Sequence, residues 1–229
     1  MEKKMKVIIF SASTTPLKNE NLFSKLFGKV PEYRREKVEK LALEKDKRLS
    51  LGAGVLLEAA LDRLGVSQNR DIYTSPSGKP YLKDHPDVFF NLSHSGEEVL
   101  CAVAEREIGC DVERISRPRF SIAKRYYSPE ENEYITSFKN GVGAGLAFFR
   151  VWTLKESFLK ATGVGFAVKP SLFSVAGPDG IALKQSISDG KWQIAHITSP
   201  EGYCSAVCIS GARRITLPEP ERISLEEVY

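Results

Sequence analysis

Ile108-Gly109-Cys110-Asp111-Val112-Glu113-Arg114-Ile115-Ser116-Arg117-Pro118 is an apolar run that turns acidic, then basic, and ends on a proline. Ile108 to Ile115 reads as a strand. Before it, Val7 to Ser11 reads as a strand and Glu32 to Leu64 as helix, with apolar positions at Val38, Leu41, Leu49, Val55, Leu56 and Ala59. Gly52 and Gly54 predict a break of that segment into two helices. Short strands follow at Ile72 to Thr74, Val88 to Leu92 and Val99 to Ala104. Turns at Ser77-Gly78-Lys79-Pro80 and Ser95-Gly96-Glu97-Glu98 join them into an expected antiparallel meander ending at Ile115. Helix returns at Ile122 to Phe138, where Ser128-Pro129-Glu130-Glu131 supplies an N-cap, a proline at the first helical position and early acids. A further helix is expected at Leu146 to Ala161, then strands at Leu172 to Ala176, Trp192 to Ser199 and Tyr203 to Ser210. This order fits two comparable α+β halves meeting near Arg114 to Pro118 better than alternating βαβ units. The halves are expected at residues 1–115 and 116–229, with no letter-for-letter repeat between them.

The chain has 229 residues, 42% of them hydrophobic, which is enough to bury a substantial core. Its 33 Lys and Arg against 29 Asp and Glu leave a formal charge of +4, too modest by itself to indicate a nucleic-acid partner. Behind the basic start MEKKMK, Val7 to Phe10 is too brief for a signal segment or a membrane span, and no other stretch approaches spanning length. Cys101, Cys110, Cys204 and Cys208 lie in apolar, strand-like surroundings with only His196 nearby as a spare ligand. Buried free thiols are therefore expected in place of a zinc site or disulfides, as suits a reducing cytoplasm. Residues 29–48 intersperse Lys and Arg with acids, the pattern of a solvated helix face.

Asp111 and Glu113 are one residue apart in a strand, so both carboxylates point to one face. Two hard oxygen ligands side by side suit Mg²⁺ shared with phosphate oxygens once a third acid arrives, and Glu156 is the candidate. Taken alone, such a pair is more often the solvent face of a strand; the flank Ile108-Gly109-Cys110 places this one at the end of a buried strand. Trp152, Lys155, Glu156 and Leu159 recur at three- and four-residue intervals, and Lys160 lies one turn beyond Glu156. An isolated helix would account for Glu156 and Lys160 as a surface pair, but not for Lys155 beside Lys160. Asn91-Leu92-Ser93-His94-Ser95-Gly96 closes an apolar strand in small polar residues and one histidine. Ser93 and His94 are adjacent, so they point to opposite faces; contact with an anion is favoured over a catalytic Ser–His pair. Lys79, held on its turn, is either a further anion contact or part of a routine hairpin.

In order, Gly78-Lys79-Pro80, Asn91-Leu92-Ser93-His94-Ser95, Gly109-Cys110-Asp111-Val112-Glu113 and Trp152-Thr153-Leu154-Lys155-Glu156-Ser157-Phe158-Leu159-Lys160 resemble the 4′-phosphopantetheinyl transferases of the surfactin-synthetase-activating type. The likeness extends to the segment from Pro31-Glu32 to Gly52, with Arg48, and to Ala123-Lys124-Arg125-Tyr126-Tyr127-Ser128, leaving aside the start and the tail. It implies a cytoplasmic monomer of two similar α/β subdomains in pseudo-twofold arrangement, with coenzyme A in the cleft between them and Mg²⁺ bridging its pyrophosphate. Asp111, Glu113 and Glu156 would be the metal ligands. Arg48 and His94 would contact the 3′-phosphate, and Lys79, Ser93, Lys155 and Lys160 the other phosphates and nearby groups. Tyr33 stands where close relatives carry a lysine, leaving Arg34, Arg35 or Lys37 to substitute.

The resemblance also implies the reaction. A serine hydroxyl of an apo acyl or peptidyl carrier protein attacks the β-phosphate of coenzyme A, taking up 4′-phosphopantetheine and releasing adenosine 3′,5′-bisphosphate. Mg²⁺ and lysines, Lys160 among them, would stabilise the phosphoryl oxygens, and Glu156 or Glu131 would take the serine proton. Arg117 to Lys139, basic and carrying Phe120, Tyr126 and Tyr127, would dock an acidic carrier helix. Partners are expected to be coenzyme A and carrier protein, with no nucleic acid and no membrane. The alternatives are a coenzyme A or nucleotide-binding module without transfer activity, against which the intact acid set argues, and a nucleic-acid surface at Arg34 to Arg48 and Arg117 to Arg125, against which the interspersed acids argue.

Overall fold

The computed structural model describes residues 6–66, 68–138, 141–177, 180–211 and 216–228. Met1 to Met5 of the basic start, Lys139 at the end of the expected docking segment, and Tyr229 of the tail lie outside the described residues. The first unit runs β1 (Val7–Ser13), α1 (Glu20–Phe27), α2 (Glu32–Glu39), α3 (Glu44–Leu64), the small hairpin β2 (Ile72–Thr74) and β3 (Pro80–Leu82), then β4 (Phe89–Ser95) and β5 (Glu98–Ala104). The second runs β6 (Ile108–Arg114), α4 (Phe120–Tyr126), α5 (Pro129–Thr136), α6 (Gly141–Thr162), β7 (Ser174–Gly177), β8 (Gly180–Lys184), β9 (Trp192–Ile197) and β10 (Tyr203–Ser210). A last short strand, β11 (Glu221–Arg222), returns to β1.

The main sheets are ordered β1-β5-β4 and β6-β10-β9. Each unit is therefore a strand, a long helix and two more strands, with the last strand laid between the other two. One topology is used twice, which is the fold class of two similar α+β units that the sequence led us to expect. Apolar side chains form three layers of core. One lies between α3 and the first sheet, one between α6 and the second sheet, and one between the two sheets. β5 is buried along its whole length because it serves two of them. Val99, Cys101 and Val103 face α3, while Leu100, Ala102 and Ala104 face the other sheet. The four cysteines are free and buried in these layers, as expected. Among the described residues no helix is long and apolar enough to cross a membrane.

Several boundaries depart from the sequence reading, each for a packing reason. Gly52 and Gly54 do not break the helix; both lie inside α3, and the break falls between Glu39 and Glu44. A Cβ at Gly52 would stand 2.8 Å from Thr14 Cγ2, and one at Gly54 2.7 Å from Arg34 Cγ. Close neighbours, not helix termination, account for these glycines. The expected helix from Ile122 to Phe138 is two helices, because Ser128 caps α5 with a reciprocal Ser128–Glu131 capping box. α1 was not anticipated; Asn19 Oδ1 starts it by accepting from the amides of Asn21 and Leu22 at 3.0 and 3.2 Å. The meander ends at β5, since β6 pairs in register with β10, Asp111 opposite Ala206. By sheet membership the first unit thus closes before Ile108 instead of at residue 115. Residues near 221–228 also rejoin it, with Leu225 buried in the α3 core.

Candidate active site

The two units meet where β4 runs beside β6. Among the described residues no backbone ladder joins these strands. Alternate side chains of β4 take its place: Asn91 Oδ1 accepts from the amide of Cys110 at 2.9 Å, Ser93 Oγ from Val112 at 3.2 Å, and Ser95 Oγ from Arg114 at 3.1 Å. On β6 itself, Ile108, Cys110 and Val112 enter the core between the sheets. Period-two alternation then turns Gly109, Asp111 and Glu113 toward α6. A Cβ at Gly109 would overlap the Ser157 carbonyl and the Ala161 amide, so glycine is what lets α6 lie so close. Trp152, Glu156 and Lys160, spaced four apart on α6, are half-buried along that contact.

The acids are crowded. Lys160 Nζ donates to Asp111 Oδ1 at 2.6 Å and to Ser93 Oγ at 3.0 Å, and Ser93 Oγ donates to the same Asp111 oxygen at 2.8 Å. Asp111 is 2% exposed, yet its Oδ2 is buried with no partner. Ser95 Oγ donates to Glu113 Oε2 at 2.7 Å. Burial, and then the Asp111 charge, push the Glu113 carboxyl above its ordinary value, while Ser95, Lys160 and Trp152 oppose the shift. Burial, then Asp111 and Glu113, push Glu156 up to about 7 against the pull of Lys160. Burial works against the Lys160 charge, but Asp111 outweighs it and raises the ammonium above its usual range. A cleft of about 160 Å³ opens beside Gly78, Lys79, Asn91, Glu156 and Lys160. A second, of about 300 Å³, adjoins Glu113, Arg117, Arg119, Phe149 and Trp152.

Asp111, Glu113, Glu156, Lys160 and Ser93 are thus gathered at one seam. Others among the expected site residues are not. Lys155 is 1% exposed and points into the α6 core, where its Nζ donates to Glu131 Oε1 and Oε2 at 2.9 and 2.7 Å and to the Phe173 carbonyl at 2.7 Å. Glu131 is fully buried, and its oxygens also accept from the amides of Ser128 and Val175, each at 2.8 Å. Burial pushes Glu131 up and Lys155 down, with the ion pair opposing both shifts. Neither Glu131 as proton acceptor nor Lys155 as phosphate contact fits that position, because each is consumed by the other away from the cleft. Helical spacing sets Lys155 about 140° around the axis from Lys160, but it does not show the remote acid Glu131 that claims Lys155.

Lys79 is also engaged: its Nζ bonds Glu107 and donates to the Ala161 carbonyl at 2.6 Å, tying the β2–β3 turn to the end of α6. Ser93 spends its hydroxyl on Asp111, Val112 and Lys160. Toward the first unit, Arg48 Nε is buried without a partner. Solvent reaches His94, yet surrounding protein and then Lys160 and Lys37 hold its imidazole below the ordinary range. Of the three cations proposed to replace the missing lysine, Arg34 packs inward on Gly54 and Arg35 bonds the Val30 carbonyl at 2.8 Å, leaving Lys37 nearest to His94 in electrostatic reach. The residues that sequence reasoning missed are Ser95 and Asn91. The signal was the alternation Asn91, Ser93, Ser95, which is polar at every second place of an apolar strand.

Twin α+β units with crowded acids and a lysine at their seam make a site suited to a charged substrate. Comparison with known proteins agrees. Residues 107–208 match the model of the 4′-phosphopantetheinyl transferase superfamily. The chain is 32% identical over 192 residues to a 4′-phosphopantetheinyl transferase of Bacillus subtilis, covering 80% of this chain and 84% of that protein. It is 32% identical to the 4′-phosphopantetheinyl transferase Sfp of Bacillus subtilis strain 168, over 76% and 80% of the two chains. It is 34% identical to the 4′-phosphopantetheinyl transferase HetI of a Nostoc species, over 73% of each. The chain belongs to the 4′-phosphopantetheinyl transferase superfamily and, within it, to the surfactin-synthetase-activating type.

Proposed function

We propose that this enzyme transfers 4′-phosphopantetheine from coenzyme A to a serine of an apo acyl or peptidyl carrier protein, with Mg²⁺, and releases adenosine 3′,5′-bisphosphate. The observation that carries the reading is the buried, unpartnered Asp111 Oδ2 among three carboxylates that share one partly exposed ammonium, Lys160. Oxygen-only donors with surplus negative charge fit a hard divalent cation. Among the described residues no group of three acids stands close enough to coordinate an ion. The mutual repulsion that, after burial, raises Glu113 and Glu156 is what a divalent cation between them would relieve. Asp111, Glu113 and Glu156 would hold the metal. Bound there, Mg²⁺ would neutralise pyrophosphate charge and the charge that develops on the leaving group.

The chain's own residues supply the rest. Lys160, at the mouth of the cleft, can shift one of its hydrogen bonds from Asp111 to a phosphoryl oxygen, giving a fixed positive charge where negative charge builds. Glu156 is the better acceptor for the serine proton: it faces the cleft, and it can give one oxygen to a cation while keeping the other for the hydroxyl. Glu131 takes no part. Arg48 and Lys37 would supply positive charge for the 3′-phosphate and His94, held neutral, a hydrogen bond to it. Arg117 and Arg119, beside the larger cleft, would meet the acidic helix of the carrier. Incubation with coenzyme A, Mg²⁺ and an apo carrier should give the carrier a phosphopantetheine mass gain that Asp111→Ala and Glu156→Ala abolish. Full transfer by both variants would refute this site.

A further inference from the structure

We infer that Ser95 is a positioning residue for the transfer reaction: it fixes the Glu113 carboxylate while closing the seam between the two units. The inference rests on the reading of Glu113 as part of the acid site. Ser95 is the last residue of β4, and its single hydroxyl has two partners. It accepts from the Arg114 amide at 3.1 Å and donates to Glu113 Oε2 at 2.7 Å. Ser93, two residues earlier, repeats the pattern on Val112 and Asp111 at 3.2 and 2.8 Å. The arrangement is a rule of the strand and not a chance contact. Each serine of β4 satisfies one amide of β6 and orients the carboxylate immediately before that amide in sequence. The same atoms that join the units therefore set the directions of the two acids.

The end of β4 is itself held. Gly96 turns the chain at φ +63°, where a Cβ would overlap Tyr203 Oη of β10. The Glu97 amide donates to that same Tyr203 oxygen at 3.1 Å. A turn pinned from the second unit leaves the Ser95 hydroxyl little freedom. Glu113 has more to gain from it than Asp111 does, because Asp111 is nearly enclosed and also bound by Lys160, whereas Glu113 is half-buried beside an open cleft. A carboxylate oriented from behind by a hydroxyl presents its other oxygen at a fixed place, the usual work of outer partners around a site.

The test is a double-mutant cycle on Ser95 and Glu113, with transfer rate, thermal unfolding and the Mg²⁺-induced rise of Tm in the presence of coenzyme A as readouts. Ser95→Ala should lower kcat on the order of tenfold and shrink the Mg²⁺-induced rise, with the KM for carrier unchanged. Ser95→Thr, which keeps the hydroxyl, should restore both. In the Glu113→Ala background, Ser95→Ala should cost nothing further in rate. An equal loss in both backgrounds would mean that Ser95 acts only through the Arg114 amide, and would overturn the inference while leaving the acid site intact. Full activity of Ser95→Ala would overturn it as well. Full activity of Glu113→Ala would overturn both the inference and the reading of Glu113 beneath it.

Discussion

Helix α6 carries two lysines five residues apart, and the contrast between them is the main lesson of the molecule. Lys155 is sealed: 1% exposed, paired with the fully buried Glu131, and stacked over the Phe173 ring at 4.2 Å. Lys160 is paired with Asp111, but its side chain is 28% exposed at the mouth of a cleft. Both are acid–lysine pairs made by one helix. The sealed pair joins α5 and β7 to α6 and saturates every oxygen of its acid. The open pair leaves Asp111 Oδ2 unpartnered and Lys160 within reach of solvent. Full satisfaction produces structure, and incomplete satisfaction leaves capacity for a ligand.

Removing one partner of the sealed pair should give the largest effect. Lys155→Met strands the Glu131 carboxylate in the core and is expected to cost about 3–5 kcal/mol. For a chain of this size that is a fall in Tm of roughly 10 °C. The transfer rate per folded molecule should not change, which separates this residue from the chemistry. Lys160→Met should do the reverse. Its rate loss is expected on the order of a hundredfold, measured by single-turnover transfer to the carrier, with a fall in Tm smaller than that of Lys155→Met because Lys160 is partly exposed and buried Asp111 keeps the Ser93 hydroxyl.

Glu156→Gln sharpens the contrast at the smallest scale. A glutamate raised from 4.5 to about 7 in the folded state stabilises the fold only while protonated. That contribution is present below pH ~4.5 and is lost as pH rises toward 7. At pH 8 the ionised Glu156 repels Asp111 and Glu113, so removing its charge should stabilise the apo enzyme by on the order of 1 kcal/mol, or a Tm rise of about 2–4 °C. At pH 4.5 the gain should vanish. A Tm difference independent of pH would show that Glu156 is not crowded by its neighbours.

Much of this was legible without coordinates. Asp111 and Glu113 share a face because strands alternate, and Trp152, Glu156 and Lys160 share a face because helices turn every 3.6 residues. Tyr203 to Ser210 is found as a strand with its expected bounds, since a largely apolar run preceded by turn residues permits little else. Local periodicity failed where its signal was cancelled by packing. Gly52 and Gly54 looked like helix breakers, but they are sites of close approach by Thr14 and Arg34. Lys155 looked like a phosphate contact, because nothing in a helical wheel tells a buried cation with a remote acid from one aimed at a cleft.

By itself the sequence determined two α+β units, the acids that share a face of a strand, and the family to which their ordered motifs correspond. Those features depend on neighbours within a few residues, where backbone geometry leaves few choices. The tertiary structure alone decided which lysine faces which acid, that β4 joins β6 through Asn91, Ser93 and Ser95, and that the tail returns Leu225 to the first core. Those pairings span 18 residues from Ser93 to Asp111, 24 from Glu131 to Lys155 and 49 from Asp111 to Lys160. Such contacts are set by burial and charge satisfaction across the whole fold, which no local pattern records.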